Sequence, residues 1–399
     1  MKYKMTLLTV FTSVGSYGIS FSDGLLKLKT HDSVEALVGQ SKALSEDAES
    51  RGSWGDPTFK IAAMNYPADN LVNDQSAMTG VEFGLSQKIS LTTKYGHLKD
   101  SLKSLSKAYS YEAHDKQQSL TKAFWEVIII KKKNNDELEI LKENLRWITK
   151  ILSVSKKLYG NGRVSQQAIL DIEIRKSEIE SDISNKEYEI SQIKDELTYF
   201  IGTGEIEDHS IPWEVLKIKS LHIIDNRSLG FKEKLRAKQF SQKATKLNYI
   251  PDVTVSLAVT KRSNLDGHGD FVGASLSFPL PFSDDKYSQH AKAVHETYMA
   301  VKSFEEYKKR KKRDMIILEK ELRKLTAELK ILKDKTIKFA RNSRSITSKS
   351  YALGNSSYIE VLQSELKLQQ MLMRKVVLYA KRDIKRVALK YITGEPLYE

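Results

Sequence analysis

The sequence predicts a mainly α-helical protein with a small β part, built from two copies of one unit in which a β-hairpin precedes a long helical hairpin. Three observations predict it. The 399-residue chain repeats itself at an offset of 192: Tyr159, Gly162, Ser165 and Leu170 recur as Tyr351, Gly354, Ser357 and Leu362, and Glu173, Leu197, Tyr199 and Gly202 as Glu365, Leu389, Tyr391 and Gly394. Two proline-free stretches carry leucines and isoleucines in alternating steps of three and four. Ahead of each lies a pair of β-rich runs of about ten residues joined by a polar loop.

In chain order, MKYKMTLLTVFTSVGSYGISFSDG sets Lys2 and Lys4 before an apolar stretch from Met5 to Val14 and then small residues. This is the order of a secretory signal, expected over 1–22 with cleavage after Gly18 or Ser22. A helical segment follows over 23–57. PTFKIAAMNYPADN and TGVEFGLSQKIS form the first β-hairpin region, 58–93, and PDVTVSLAVTKRSN and DFVGASLSFPLPFS the second, 251–285. The strand reading is strongest at Val253–Leu257 and weakest at Gly84–Ile89.

The first helical hairpin is expected over 94–202 and the second over 286–394, with a linker and helix over 203–250 between them and a tail over 395–399. The first long helix has leucines and isoleucines at 98, 102, 105, 138, 141, 145, 148 and 152, and its partner has Leu318, Leu322, Leu325, Leu329, Leu332, Thr336 and Phe339, a heptad seam in both. At 1.5 Å per residue, a helix of about 60 residues runs about 90 Å and must pack lengthwise on others. Gly160, Gly162 and Gly354 suit the turns, and Ser165 and Ser357 suit N-caps of the returning helices.

Composition fits long solvated helices: 29% charged residues, 40% hydrophobic ones and only 7 prolines. The net charge of +14 is spread among 51 acidic residues, which reads as an interleaved surface rather than a nucleic-acid face. With no cysteine, disulfides, thiolate metal sites and a lipidated N-terminal Cys are excluded. No later segment has the roughly 18 apolar residues of a membrane helix.

Strands of about ten residues have the length to cross a bilayer obliquely. Four cannot close a barrel, and an open edge in lipid leaves each unpaired N–H and C=O at a cost of several kcal/mol. Several chains must pool their strands; three would supply twelve, and twelve helices beside them a tube.

With its duplicated units, the turns YGNGRVSQQAIL and YALGNSSYIEVL and the segments GDPTFKIAAMNYP, GLSQKIS and SFPLPFS, essentially the whole mature chain resembles the TolC family of outer-membrane efflux channels. Within it the sequence looks closest to the CzcC/CusC-like heavy-metal and cation efflux branch, although the absence of Cys departs from the lipoproteins common there. The resemblance implies a homotrimer with a shared twelve-stranded barrel in the outer membrane and an α-helical barrel in the periplasm. It further implies a passive exit duct docking to a periplasmic adaptor protein and an inner-membrane pump of the RND type, with heavy-metal cations as the cargo suggested by the branch.

By the same resemblance the turns form the tips that meet the adaptor, through Tyr159, Gly162, Arg163, Val164, Ser165 and Leu170 and, in the repeat, Tyr351, Gly354, Ser357 and Leu362. Family members narrow the pore with carboxylates six and nine residues after the turn glycine. Here Ala168 and Asp171 hold those places in the first tip, and Glu360 and Gln363 in the second. Asp171 and Glu360 are thus expected to form rings of three carboxylates that favour cations. An acid steadying its own helix N-terminus through the macrodipole accounts for either residue equally well.

No catalytic signature occurs: there is no HExxH, Walker loop, GxSxG or dinucleotide-binding glycine set, so neither enzyme activity nor a cofactor is expected. His290 and His295 stand five apart, not the four that aligns two ligands on a helix, and Asp284 and Asp285 read as the end of a strand; no metal site is expected. Lys308–Arg313, KKRKKR, reads as a solvated helix face and has no counterpart in the first unit. An alternative, an intracellular coiled-coil structural or nucleic-acid-binding protein, explains heptads and charge but not the strand pairs, glycine turns or signal-like start.

Overall fold

The computed structural model describes residues 18–218, 225–263, 265–280 and 282–398; most of the expected signal segment, 1–17, lies outside the described residues. The elements are α1 (Phe21–Lys29), α2 (Asp32–Arg51), β1 (Thr58–Met64), β2 (Gly80–Ile89), α3 (Lys94–Gly160), α4 (Gln166–Ile201), α5 (Asn226–Leu247), β3 (Val253–Arg262), β4 (Phe271–Ser277), α6 (Asp285–Ile331), α7 (Ile337–Ala352) and α8 (Tyr358–Thr393). Two 3₁₀ turns lie between α4 and α5, and a π-helical turn, Leu332–Thr336, joins α6 to α7. The chain forms two compact units, one of Met1–Val34, Asp115–Asp225 and Lys311–Glu399, the other of Glu35–His114 and Asn226–Arg310.

The second of these units holds the sheet. Its strands are antiparallel in the order β1-β2-β3-β4, so among the described residues β1 and β4 each have one free edge. Side chains alternate across a strand, and the register gathers them by chemistry. Phe59 pairs with Leu85, Ile61 with Phe83, Leu85 with Leu257, Phe83 with Val259, Val259 with Val272 and Val255 with Leu276, all on one face. Lys60, Glu82, Ser86, Ser256, Thr260 and Ser275 lie on the other. Except for Val255, the apolar residues named are 44–79% exposed, although this face would normally seek a core.

Beside the sheet, Asp252 is 8% exposed; it pairs with Lys94 Nζ at 2.6 Å and Lys88 Nζ at 3.1 Å and accepts from Tyr95 Oη at 2.9 Å. Burial opposes ionisation of this carboxyl, but hydrogen bonds from Lys94, Tyr95, Lys88 and Ser90 outweigh burial and hold it at about 2. A carboxyl lowered on folding stabilises the fold at pH above its unfolded value of about 4, and that contribution is lost as pH falls through about 2. Asp252→Asn is therefore expected to lower stability by roughly 2 kcal/mol at pH 7 and to lose its effect near pH 2, as followed by thermal unfolding across pH.

The helices of the same unit are tied to one another. Ser41 and Ser106 each donate to the other's carbonyl at 2.8 and 2.7 Å, joining α2 to α3. Ser101 donates to the Ala237 carbonyl at 2.8 Å, Lys238 pairs with Glu296 at 2.7 Å, and Phe231 stacks on Tyr307 with centroids 4.9 Å apart.

In the other unit Trp125 is wholly buried, with its ring 4.7 Å from Phe21 and 5.8 Å from Trp213, and its Nε1–H donates to the Leu397 carbonyl at 2.8 Å. Ile19 bridges to Ile206. Cleavage after Gly18 leaves this packing whole, whereas cleavage after Ser22 would remove Phe21; the boundary expected at residue 22 falls inside α1.

The helical hairpins end alike. Gly202 and Gly394 close α4 and α8 at φ +72° and +84°, a left-handed backbone that glycine adopts without a Cβ penalty. The long helices differ. α3 is continuous over 67 residues, but the expected single helix of the repeat is interrupted by the π turn. The extra residue shifts the seam: after Leu329 and Leu332 the buried positions are Ile337 and Ala340, not Thr336 and Phe339, and Phe339 is 70% exposed.

Candidate functional site at the hairpin tips

The two turns close with the same hydrogen bonds, one repeat apart. Arg163 N–H donates to the Leu158 carbonyl at 2.9 Å and Asn355 N–H to that of Ser350 at 2.8 Å, while Gly162 and Gly354 N–H reach Tyr159 and Tyr351 at 2.9 Å each. Gly162 and Gly354 sit at φ +67° and +79°, so a residue with a Cβ would be strained at both turns. Ser165 Oγ then accepts from Ala168 N–H at 3.3 Å and Ser357 Oγ from Glu360 N–H at 3.2 Å, capping α4 and α8.

The tips lie side by side. Leu141, Ile148, Ile151, Leu152, Leu158, Ile172, Ile179, Tyr351 and Val361 make one core that joins α3, α4, the end of α7 and α8. Val164, Ile169, Tyr358 and Leu362 pack on it, and the Arg163 guanidinium lies 3.5 Å from where a Cβ on Gly354 would stand. A polar layer crosses this core: Asn144 Nδ2 donates to Gln369 Oε1 at 2.7 Å, as does Arg175 Nη2 at 2.5 Å. Burial pushes the Glu365 carboxyl up, an effect that Arg344 at 3.3 Å offsets only in part.

Of the expected contact residues, Tyr159 and Leu170 are each 46% exposed, Arg163 is exposed, and Val164 and Leu362 are half-buried. Tyr351 corrects the expectation. It is 2% exposed, and its hydroxyl lies 2.7 Å from Ser155 Oγ inside the core. The two like hairpins turn different faces to their shared contact, so the tyrosine that is exposed in one copy fills the contact in the other.

The two expected constriction acids also part company. Glu360 is in the first turn of α8, where its N–H meets the Ser357 cap and its carboxylate accepts from Ser356 Oγ, so it steadies a helix start. Asp171 lies in the second turn of α4, beyond the range of the macrodipole. It accepts from Gln167 Nε2 at 2.8 Å and from Tyr358 Oη at 2.9 Å. The hydrogen bond to Asp171, then burial, keeps the Tyr358 phenol protonated above its ordinary range. Ala168, at the place where the resemblance leads one to expect an acid, is wholly buried, which leaves no room for a hydrated carboxylate.

Sequence reasoning missed the charge of the tips. Residues 144–170 and 335–359 each hold five lysines and arginines and no acid, so these two stretches carry +10 of the chain's +14. The signal was in the sequence as charge patterning, hidden by averaging over the whole chain. Among the described residues no group of histidines and carboxylates could hold a metal ion, and no helix is long and apolar enough to cross a membrane.

No family model and no curated protein matches this chain. Solved structures do. The outer-membrane protein VceC from Vibrio cholerae is 14% identical, with 94% of this chain and 96% of that chain covered at a TM-score of 0.77. CusC, described as forming a transmembrane channel, is 11% identical, with 99% of each chain covered at 0.79. The open-state outer-membrane channel MtrE from Neisseria gonorrhoeae is 12% identical, with 98% and 94% covered at 0.71.

Proposed function

We propose that this chain, whose fold is that of the outer-membrane efflux channels, works as one third of a trimeric exit duct in the outer membrane, with its helical hairpins in the periplasm. The observation that carries this reading is the sheet: one face apolar and exposed, the other polar, and an unpaired edge at each end. Such a sheet is stable in lipid only if closed, apolar side outward, by strands of further copies. Three chains make twelve strands with β4 of one antiparallel to β1 of the next, and line the lumen with lysine, glutamate, serine and threonine.

The duct does no chemistry; it takes its direction from an inner-membrane pump of the RND type, reached through a periplasmic adaptor that the hairpin tips would meet. Tyr159, Gly162, Arg163, Val164, Ser165, Leu170, Gly354, Ser357 and Leu362 remain the proposed contact set, with Tyr351 acting behind it. Asp171, free of a capping role, is the stronger candidate for a constriction ring and favours a cation cargo, of which heavy-metal ions are one class. Glu360 would act there only after leaving its cap.

Purified protein in planar bilayers tests the reading. Discrete channels are expected, and Asp171→Ala with Glu360→Ala should reduce cation preference or raise conductance, with most of the change from Asp171→Ala alone. Absence of channels would overturn the duct; unchanged currents in the double variant would remove only the constriction assignment.

A further inference from the structure

Resting on the duct reading, and adding the chemistry of the partner to it, we propose that the hairpin tips form a basic collar that docks an acidic, helical protein surface. The two acid-free stretches, 144–170 and 335–359, come from different repeats, yet the structure sets them side by side, with Arg163 against Gly354. Lys150, Lys157, Arg163, Lys338, Arg341 and Lys349 are all exposed, and none makes an ion pair among the described residues. Within these stretches Lys156 and Arg344 are paired, with Glu173 and Glu365.

Glu143, Asp171, Asp334 and Glu360 border the two stretches and lower the local charge from +10 to +6, which leaves the collar basic. Asp171 accepts from Tyr358 and Gln167, and Glu360 is held by Ser356 and its N-cap. Like charges left this close repel one another, and a partner's carboxylates would relieve that repulsion while steering the encounter. The tips of further copies cannot supply such a surface, because they are equally basic.

A second feature selects a helical protein over a lipid surface. Phe339, Ile346 and Leu353 stand seven residues apart on α7 and its end, each 65–70% exposed. That is the spacing of a coiled-coil seam, offered to a helix rather than to head groups.

The test uses the full chain in nanodiscs. The probes are two synthetic antiparallel helical hairpins with the same leucine seam, one with glutamates and the other with lysines at its exposed positions, together with vesicles of anionic phosphatidylglycerol or neutral phosphatidylcholine. The glutamate hairpin is expected to bind at least about tenfold tighter than the lysine hairpin at about 50 mM salt, and to lose that advantage near about 500 mM. Replacing Lys157→Glu, Arg163→Glu, Arg341→Glu and Lys349→Glu together should invert the preference.

Equal binding of the two hairpins, binding of neither, or an unaltered preference in the four-fold variant would overturn the proposal. Capture by anionic vesicles in preference to the glutamate hairpin would assign the collar to lipid and overturn it as well. Channel currents from the same preparation separate the levels: currents without hairpin discrimination refute the acidic partner alone, whereas absent currents refute the duct beneath it.

Discussion

Leu257→Arg is expected to abolish assembly in the membrane, whereas Ser256→Arg, one residue earlier, leaves it intact. Leu257 sits mid-strand in β3, flanked on its face by Leu85 and Ala274, and is 58% exposed. In the proposed barrel an arginine there would point into lipid near the middle of the span, at a cost of about 2–4 kcal/mol per chain, and three copies would multiply the penalty. Ser256 lies between Ser86 and Ser275 on the polar face, so in the proposed barrel an arginine there would enter a wet lumen. The measurement is the yield of detergent-extracted trimer from the outer-membrane fraction; equal yields for the two variants would mean that the faces do not separate lipid from water. Channels formed by Ser256→Arg should also conduct cations less well.

The second large effect is on stability. Trp125→Ala should cost about 3–5 kcal/mol, the range for deleting a buried aromatic side chain. The ring fills a wholly buried site beside Phe21 and Trp213, and its N–H is the hydrogen bond that holds the Leu397 carbonyl. The loss should appear as a lower unfolding temperature of the helical circular dichroism signal. A variant lacking residues 397–399 should lose part of the same stability, because it removes the acceptor of that bond. A change below about 1 kcal/mol for Trp125→Ala would contradict the packing described.

Much of the fold was legible because its signals are local and repeated. Ser165 and Ser357 read as N-caps and are N-caps; Gly162 and Gly354 read as turns and adopt a left-handed backbone. Each repeat supported the reading of the other. Even Gly84–Ile89, the weakest strand signal, lies in a strand that pairs on both sides, since β-pairing comes from neighbours more than from a segment's own propensity.

What escaped the sequence depends on how the repeats meet. Heptad stepping through Leu332 pointed to Thr336 and Phe339, but one inserted residue is absorbed as a π turn, and such an insertion leaves the apolar pattern on either side intact. Tyr159 and Tyr351 are equivalent in sequence and opposite in place, one exposed and one buried against Ser155. Of the two acids expected to ring a pore, sequence could not tell which one serves a helix start; hydrogen bonds put Glu360 at the cap of α8, whereas Asp171 bonds Gln167 and Tyr358. The basic collar was readable, but only when charge is counted by segment.

Inter-chain disulfide trapping tests the central claim most directly, and the absence of cysteine makes the background clean. Lys60→Cys on β1 would be combined in one chain with single cysteines along β4 from Phe271 to Ser277. Two strands separate β1 from β4 within a chain, about 14 Å at the usual spacing, too far for an internal disulfide. Mild oxidation in outer membranes is predicted to give, at one β4 register, a covalent ladder that stops at three chains. Monomer at every register, or a ladder running past three, would contradict a barrel closed by three copies.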